Sequence, residues 1–418
     1  NLIERMFPIA FQDFGEIVRL AVETLFIAYV GTVLAVILSV PLAFLAARNT
    51  TPHPTVMAVA RGIIVAARAI PDLVFALIFV RAIGIGGVGA VASGILALGA
   101  HSIGMVGKLY ADAIEQIDEG PREAVAATGA SRLQQLATGV LPQVMPAFIG
   151  TALYRLDINF RTSTVLGYVG AGGIGTLLRI YLSGLRYDLA LGITLVVIVL
   201  VLVVEFGSAA IRQQILGTDA FADRRLSRRL GGLLGRRART GADAGTTDAA
   251  TRTAASTDPG SASARAVALG RLSPPWTPQR RRMVGYGWAA LVALVTAGLV
   301  TGVTPLVLVR DLGGILAIAT QLVPSSFEVI DGPLIDAMIE TVSIGVASTT
   351  IGLGLSIPLS FLAAANVAPS RWVYSAARTV VVIVRAVPEL IIAVLFVSAV
   401  GLGPFPGVLA LSLGTLGY

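Results

Sequence analysis

Charged residues lie inside two apolar stretches of the sequence, with the same spacing in each. Arg68 and Asp72 flank Pro71 and are four residues apart, and Arg385 and Glu389 repeat this arrangement. Four residues are about one helical turn, so each arginine is expected to pair with its own acid, which lowers the cost of burying it in a membrane. The functional alternative is that both arginines face a central pathway and attract an anion, because ionisable groups in membrane spans rarely face lipid.

A second group of polar side chains lies in the stretch YRLDINFRTSTVLGYVGAGGIG, residues 154–175. Arg155 and Asn159 are one helical turn apart, and so are Asp157 and Arg161. Guanidinium and amide groups are donors that suit a tetrahedral oxyanion. Helix packing is the alternative role for these residues. The predicted anion pathway or gate comprises Arg68, Asp72, Arg155, Asp157, Asn159, Arg161, Arg385 and Glu389.

The end of that stretch is rich in glycine and matches the pattern G-x-G-x-x-G. A dinucleotide site is not expected there, because that motif requires a preceding strand in a soluble βαβ unit and here an apolar membrane helix precedes it. Glycines this dense are expected either to let backbones pack closely or to form a flexible gate between spans. The predicted gate glycines are Gly170, Gly172, Gly173 and Gly175.

Catalytic chemistry has little support elsewhere in the chain. The chain has no cysteine and two histidines, which argues against a metal site or a catalytic centre. The segment from Gly104 to Lys108 is similar to a phosphate-binding loop, but Ser102 replaces its first glycine and Leu109 its Ser/Thr. His101 is expected to be a packing residue. We therefore predict no catalytic residue, no metal and no cofactor in this chain.

Residues 119–142, EGPREAVAATGASRLQQLATGVLP, are a short polar interruption between apolar stretches. Pro121 suits a first helical position, and Gly129 suits the end of that helix. Ser131 is expected to be the N-cap of a second helix, with Gln134 completing a capping box. This helix–turn–helix segment is called the knuckle below. Its small-residue surface suits insertion into a groove on another protein.

The second knuckle helix is predicted to end at Gly139, with Pro142 opening the next apolar segment. An ordinary hairpin between membrane helices is the alternative. A DNA-reading helix-turn-helix is not expected, because both flanks are too apolar to leave a bilayer.

Composition indicates a membrane protein. The 418 residues are 55% hydrophobic and 13% charged, and the mean hydropathy is +0.83. Soluble domains carry about 25% charged residues. The net charge of +7 is attributed to arginines held on the cytoplasmic side rather than to nucleic-acid binding. Apolar stretches near the ~20 residues that a bilayer helix needs are predicted at about 24–47, 56–81, 88–108, 144–166, 189–210 and 283–303.

Arginine placement predicts the orientation of these spans. Many arginines follow Ile211, and such residues stay on the cytoplasmic side. Counting back through five spans places the knuckle on that same side and residues 161–188 outside. The predicted domains are residues 1–216, a disordered basic linker at 217–281, and residues 282–418. The linker is rich in Arg, Gly, Ala, Thr and Ser, and it lacks the apolar residues that a core requires.

The two apolar domains are copies of each other. Residues 23–49 align with 340–366 at a constant offset that also places Arg68 against Arg385. GILALGAHSIGM at 94–105 then aligns with the last residues of the chain after a small deletion. This is a parallel repeat with its axis along the membrane normal. The second copy has no counterpart of the knuckle, and the span at 283–303 has no counterpart before Asn1, so we expect further residues beyond both ends of the sequence.

Two motifs resemble those of a known family. The pattern E-A-x-x-x-x-G, followed by L-P, resembles the coupling-loop signature of ABC importer permeases. Its matching residues are Glu123, Ala124, Gly129, Leu141 and Pro142, with departures at Val125 and Gly139. The pattern N-F-R-x-S-T-V-L-G-x-V-G-A-G-G-I-G resembles phosphonate-type permeases of the same superfamily, and it is the more specific of the two.

The resemblance implies an all-α polytopic membrane protein with two parallel repeats of the type I importer permease fold, the second incomplete. It implies the permease of an ATP-driven importer for a phosphonate or a related phosphorus oxyanion; inorganic phosphate and phosphite are alternatives. Implied partners are an ABC ATPase dimer carrying ATP and Mg, an extracytoplasmic substrate-binding protein and the lipid bilayer. The implied location is the bacterial cytoplasmic membrane, crossed several times.

Two hypotheses from other classes stay open at this point. An ion-gradient-driven carrier or channel with parallel repeats would transport without an ATPase. A membrane scaffold would move nothing, so replacing Arg161 would leave uptake unchanged.

Overall fold

The computed structural model describes residues 7–216, 278–310, 312–321 and 331–416. Every regular element in these ranges is helical. The helices before the predicted linker are α1 (Phe14–Ala46), α2 (Pro54–Ala69), α3 (Asp72–Ile83), α4 (Gly87–Glu115), α5 (Gly120–Ala127), α6 (Arg132–Gln135), α7 (Leu141–Tyr168), α8 (Gly175–Ser183) and α9 (Tyr187–Leu216). A π-helical turn, Leu136–Val140, joins α6 to α7. After the linker come α10 (Pro278–Thr301), α11 (Pro305–Arg310), α12 (Leu312–Gln321), α13 (Gly332–Leu362), α14 (Arg371–Ala386), α15 (Glu389–Val400) and α16 (Pro404–Thr415).

The chain divides into two compact units. One comprises residues 1–208 and 294–418 and holds both copies of the repeat. The other comprises residues 209–293. The linker predicted over residues 217–281 lies outside the described residues up to 277, and residues 278–281 form the start of α10.

Six helices in the described ranges are long and apolar enough to cross a membrane. They are Phe14–Ala46, Gly87–Glu115, Arg132–Tyr168, Tyr187–Arg212, Val284–Thr301 and Gly332–Leu362. Two further pairs of helices would also suffice but are sharply bent, α2 with α3 by 88° and α14 with α15 by 86°. The fold is therefore that of a multi-pass helical membrane protein.

The bend between α2 and α3 corrects the prediction of one span over residues 56–81. Proline has no backbone N–H and forces the residue before it out of the helical region. Ile70, which precedes Pro71, is accordingly extended with φ −86° and ψ 121°. Val387 has nearly the same angles, φ −87° and ψ 120°, before Pro388. The same sequence feature thus breaks the helix in both copies.

Helix α1 is the central helix of the first copy and packs along α4, with α7 and α2 beside it. Small residues let these helices approach closely. A Cβ added to Gly31 of α1 would lie 2.9 Å from the Leu98 Cβ atom of α4. Elsewhere in the same copy, Tyr110 of α4 and Phe148 of α7 stack their rings, with the ring centroids 3.8 Å apart. These contacts hold the first copy as one packed bundle.

The helix that follows the knuckle turn does not end at Gly139, so that prediction was wrong. Helix α6, the π turn and α7 run on as a single 37-residue helix, Arg132–Tyr168. Pro142 interrupts the normal hydrogen-bond ladder because it lacks an N–H. The π turn absorbs this interruption, since the Leu141 N–H bonds the carbonyl of Leu136, five residues back.

Candidate functional site

A cavity of about 440 Å³ lies between the two copies of the repeat. Its charged lining residues come from both copies: Asp72 and Arg161 from the first, Arg385 and Glu389 from the second. Apolar side chains such as Val165 and Leu411 complete the wall. A pocket of this size falls within the ~300–1,000 Å³ typical of small-molecule sites.

The broken helices place the charged residues at the cavity. Asp72 and Glu389 are each the first residue of the helix after a break, where a carboxylate suits the positive end of the helix dipole. The Leu73 N–H donates to Asp72 Oδ1 at 2.8 Å. Arg385 is in the last turn of α14, just before the break, and Arg161 projects from α7.

A buried charge cluster lies at the cavity wall. Asp157 Oδ2 is 2.9 Å from Arg161 Nη2 and 3.4 Å from Arg385 Nη2. Glu205 Oε1 lies 3.4 Å from the same Arg385 nitrogen. The Arg161 Nη1 atom also donates to the backbone carbonyl of Arg385 at 3.1 Å. The two guanidiniums, one from each copy, are therefore held side by side.

The structure contradicts both of the ion pairs that were predicted across the prolines. Asp157 and Arg161, which lie one turn apart within the continuous helix α7, do form an ion pair. Arg68 does not pair with Asp72, nor Arg385 with Glu389, among the ion pairs of the described residues. The reason is the helix break between the members of each pair, because the one-turn geometry exists only within a continuous helix.

Arg68 does not line the cavity, although its counterpart Arg385 does. The Arg68 side chain is exposed and lies over Gly104 of α4, where any added Cβ would overlap it. Only glycine leaves room for this contact. The place of Arg68 in an anion pathway stays a prediction.

Arg155 and Asn159 do not line the cavity and belong to a separate buried network. Arg155 Nε donates to Ser102 Oγ at 2.8 Å, and Ser102 Oγ donates to Asn159 Oδ1 at 3.1 Å. The Asn159 amide then donates to Thr32 Oγ1 at 2.9 Å. This network joins α1, α4 and α7. Sequence reasoning missed Ser102 and Thr32, whose only signal is a small hydroxyl in an apolar helix.

Three of the predicted gate glycines, Gly170, Gly172 and Gly173, lie in a buried loop between α7 and α8, and Gly175 is the first residue of α8. The Gly173 N–H donates to Glu23 Oε1 and the Ile174 N–H to Thr24 Oγ1, each at 2.8 Å. Gly173 has φ +75°, and a Cβ there would lie 2.5 Å from Thr24 Oγ1. These contacts support the packing interpretation of the glycines, and their role as a gate stays a prediction.

The capping box and the glycine turn of the knuckle are as predicted, and the outer surface of the knuckle is exposed. The capping box between Ser131 and Gln134 is confirmed, and Gly129 has φ +80° at the end of α5. Glu123 and Ala124 are exposed, and Leu133 is 79% exposed. The predicted docking residues Leu141 and Pro142 lie in the first turn of α7, below this surface.

Close packing inside the knuckle explains one departure from the coupling-loop signature. A Cβ added to Gly139 would lie 2.8 Å from the Arg122 Cα atom, so the backbone of α5 rests on this glycine. An aliphatic residue at position 139 would push the two knuckle helices apart.

Polar contacts that sequence reasoning missed join the knuckle to the spans. The Asn49 amide donates to the Ile114 carbonyl at 2.8 Å and to Glu119 Oε1 at 3.0 Å. Arg122 pairs with Glu119 at 2.7 Å and donates to the Asn49 carbonyl. Residues of this kind give no periodic signal, because they meet only when the ends of α1, α4 and α5 come together.

Glu115 at the end of α4 receives a second set of contacts. Arg61 Nη2 is 2.7 Å from Glu115 Oε1, which also accepts from the Arg48 N–H at 3.0 Å. Arg61 Nε donates to the Ala46 carbonyl at 2.9 Å. Helices α1, α2 and α4 are thus tied together directly beneath the knuckle.

Comparison with known proteins matches these features. Residues 39–216 match the family described as "Binding-protein-dependent transport system inner membrane component". The chain is 43% identical over 419 residues to the phosphate-import permease protein PhnE of Mycolicibacterium smegmatis, covering 100% of this chain and 68% of that protein. It is 46% identical over 206 residues to the phosphite transport system permease protein PtxC of Stutzerimonas stutzeri, covering 49% of this chain and 74% of that protein. A solved structure, described as inward-facing conformations of the MetNI methionine ABC transporter, is similar with TM-score 0.41 and 24% identity, covering 47% of this chain and 94% of that one.

Proposed function

Because the chain belongs to the family of binding-protein-dependent transport system inner membrane components, we propose that it is the membrane-spanning permease of an ATP-driven importer for a phosphonate or a related phosphorus oxyanion. The chain is a helical, multi-pass inner-membrane protein with two fused copies of the type I importer permease fold. Two of its relatives are named for phosphate import and phosphite transport, so both anions belong to the proposed substrate class.

The observation that carries this proposal is the pair of guanidiniums at the cavity between the copies. Arg161 and Arg385 come from different copies and meet at one wall. Arginine presents planar, always-charged donors that match phosphate-like oxygens. Asp72 and Glu389 face the same cavity and complete the proposed pathway.

We propose that the knuckle transmits motion from an ATPase dimer to the helices that carry these arginines. Glu123, Ala124 and Gly129 are the proposed docking surface, with Leu141 and Pro142 supporting it from α7. ATP and Mg would bind to the ATPase subunits, whose closure moves the knuckle. A binding protein outside the membrane would deliver the oxyanion to the mouth between the copies, and the spans would open the cavity alternately to each side.

Reconstitution in liposomes tests this proposal. The full-length protein, its ATPase and its binding protein should import methylphosphonate, phosphite or phosphate in an ATP-dependent way, and removing the ATPase should abolish uptake. Uptake that persists without ATPase but follows an ion gradient would contradict the proposal and support a gradient-driven carrier. ATP-dependent uptake of some other solute, with none of the three oxyanions, would contradict the substrate class alone.

A further inference from the structure

The Asp157 carboxylate lies between guanidiniums from the two copies. One of its oxygens, Oδ2, contacts Nη2 of Arg161 at 2.9 Å and Nη2 of Arg385 at 3.4 Å. The Asp157 side chain is 5% exposed, and those of Arg161 and Arg385 are 11% and 20% exposed. A single buried carboxylate oxygen is therefore shared by two cations.

Each of these guanidiniums uses only half of its binding edge. The Nε–H and Nη2–H of arginine point the same way and form a fork that can hold two oxygens. In Arg161 and in Arg385, Nη2 contacts Asp157, whereas Nε is buried and has no acceptor among the described residues. The other Asp157 oxygen, Oδ1, is also buried and accepts no hydrogen bond within that part of the chain. Asp157 therefore fills only one position of each fork. The buried polar atoms left without partners make this arrangement unfavourable.

A phosphorus oxyanion has the oxygens that Asp157 lacks. Its three terminal oxygens can fill both forks at once, and both arginines line the 440 Å³ cavity through which it would arrive. We infer that Asp157 competes with the oxyanion for Arg161 and Arg385 and so sets how tightly the permease holds its substrate. This inference rests on the proposed function.

The charge balance of the cluster favours such competition. Arg161 and Arg385 are matched by the two carboxylates that contact them, Asp157 and Glu205. Asp72 and Glu389 add two more acids on the cavity wall. An oxyanion that binds the two forks displaces the Asp157 carboxylate. When the Asp157 carboxylate binds the arginines again, it helps to release the oxyanion. Asp157 therefore lowers affinity and speeds release.

Equilibrium binding of radiolabelled phosphate and methylphosphonate tests this inference, using the full-length protein with its ATPase in nanodiscs. Asp157→Asn keeps the shape of the side chain but removes the competing charge. We expect the Kd for both oxyanions to fall about tenfold, because a negative charge that repels the oxyanion and competes for its arginines has been removed. Uptake turnover should fall, because release becomes slower, while the half-saturating substrate concentration also falls.

Two further variants keep the result interpretable. Asp112→Asn removes a carboxylate that pairs with Lys108 away from the cavity, and its Kd should equal that of the wild type. Glu205→Gln removes the more exposed carboxylate, which contacts Arg385 and not Arg161 among the ion pairs of the described residues, and it should tighten binding by a smaller factor. If Asp157→Asn does not fold, Glu205→Gln becomes the test of competition between carboxylate and oxyanion. An unchanged Kd in Glu205→Gln would then count against that competition.

The outcomes separate this inference from the proposed function. If the wild type binds neither oxyanion, the proposed anion site is wrong. If the wild type binds them and Arg161→Ala abolishes binding, the site stands. An Asp157→Asn protein with unchanged or weaker binding would then overturn the competition alone.

Discussion

The two copies of the RA-x-P-[DE]-L segment fold alike but place their arginines differently. Both break at the proline, by 88° in the first copy and 86° in the second. Arg68 is exposed and lies over Gly104, whereas Arg385 enters a buried cluster with Asp157 and Glu205. Local sequence therefore determines the break, and residues from other helices determine what the arginine does.

A second pair of equivalent residues shows the same principle. Thr24 in α1 accepts the N–H of Ile174 from the glycine loop. Its counterpart, Thr341 in α13, is exposed and donates only to the Ala337 carbonyl of its own helix among the hydrogen bonds of the described residues. Glu23 and Thr24 thus hold the glycine loop in the first copy, whereas the aligned Glu340 and Thr341 are exposed in the second.

The largest expected difference between the copies concerns the two arginines. Arg385→Ala should reduce oxyanion uptake about 100-fold, because it removes a guanidinium from the cavity, leaves Glu205 without its cation and leaves Asp157 with Arg161 alone. Arg68→Ala should reduce uptake by less than about threefold, as expected for an exposed side chain. Uptake by proteoliposomes at equal protein content measures both. Equal losses in the two variants would contradict the assignment of the pathway to Arg385.

The threonines provide a difference of intermediate size. Thr24→Val should lower the free energy of unfolding by about 1–3 kcal/mol, because the buried Ile174 N–H loses its acceptor. Thr341→Val should change it by less than about 0.5 kcal/mol, since Thr341 is exposed. Titrating the purified protein with increasing concentrations of a denaturing detergent gives both free energies of unfolding. A loss in Thr341→Val as large as that in Thr24→Val would show that the second copy anchors an equivalent loop.

The smallest expected difference lies beneath the knuckle, at the aligned residues Arg61 and Arg378. Arg61 ties α2 to Glu115 and to the Ala46 carbonyl, whereas Arg378 contacts Tyr374 in its own helix. Arg61→Gln should reduce the substrate imported per ATP hydrolysed about threefold, since partly exposed ion pairs contribute roughly 0.2–1 kcal/mol. Arg378→Gln should leave this ratio close to that of the wild type. Measuring ATP hydrolysis and uptake in the same proteoliposomes gives the ratio, and a larger effect at Arg378 would reverse the comparison.

The features that sequence predicted best are those encoded by neighbouring residues. The capping box at Ser131 depends on residues within one turn, and the internal repeat needs only the sequence itself. The family and the helical fold followed from motifs of the same local kind. Each of these could be predicted because the interacting groups are close along the chain.

The features that could not be predicted depend on distant residues. The contacts of Arg385 with Asp157 and Glu205 join residues about 180 or more positions apart, and no periodic pattern marks them. The expected Arg385–Glu389 pair was wrong because the turn spacing was applied across a helix break. The stop at Gly139 was wrong because a π turn lets a helix continue past a proline, and the glycine instead serves contact with Arg122.

The continuous helix Arg132–Tyr168, with its π turn, joins the knuckle to the cavity. Leu133 at the proposed docking end and Arg161 at the cavity are on one covalent rod, on the order of 40 Å apart at 1.5 Å per residue. No interface has to slide between Leu133 and Arg161. The direction in which Arg161 projects around the helix axis, relative to the docking surface, is therefore set by the number of residues between them. One residue more or fewer would swing the guanidinium by about 100° around the axis. The length of this rod is therefore as much a part of the transport machinery as the side chains at its two ends.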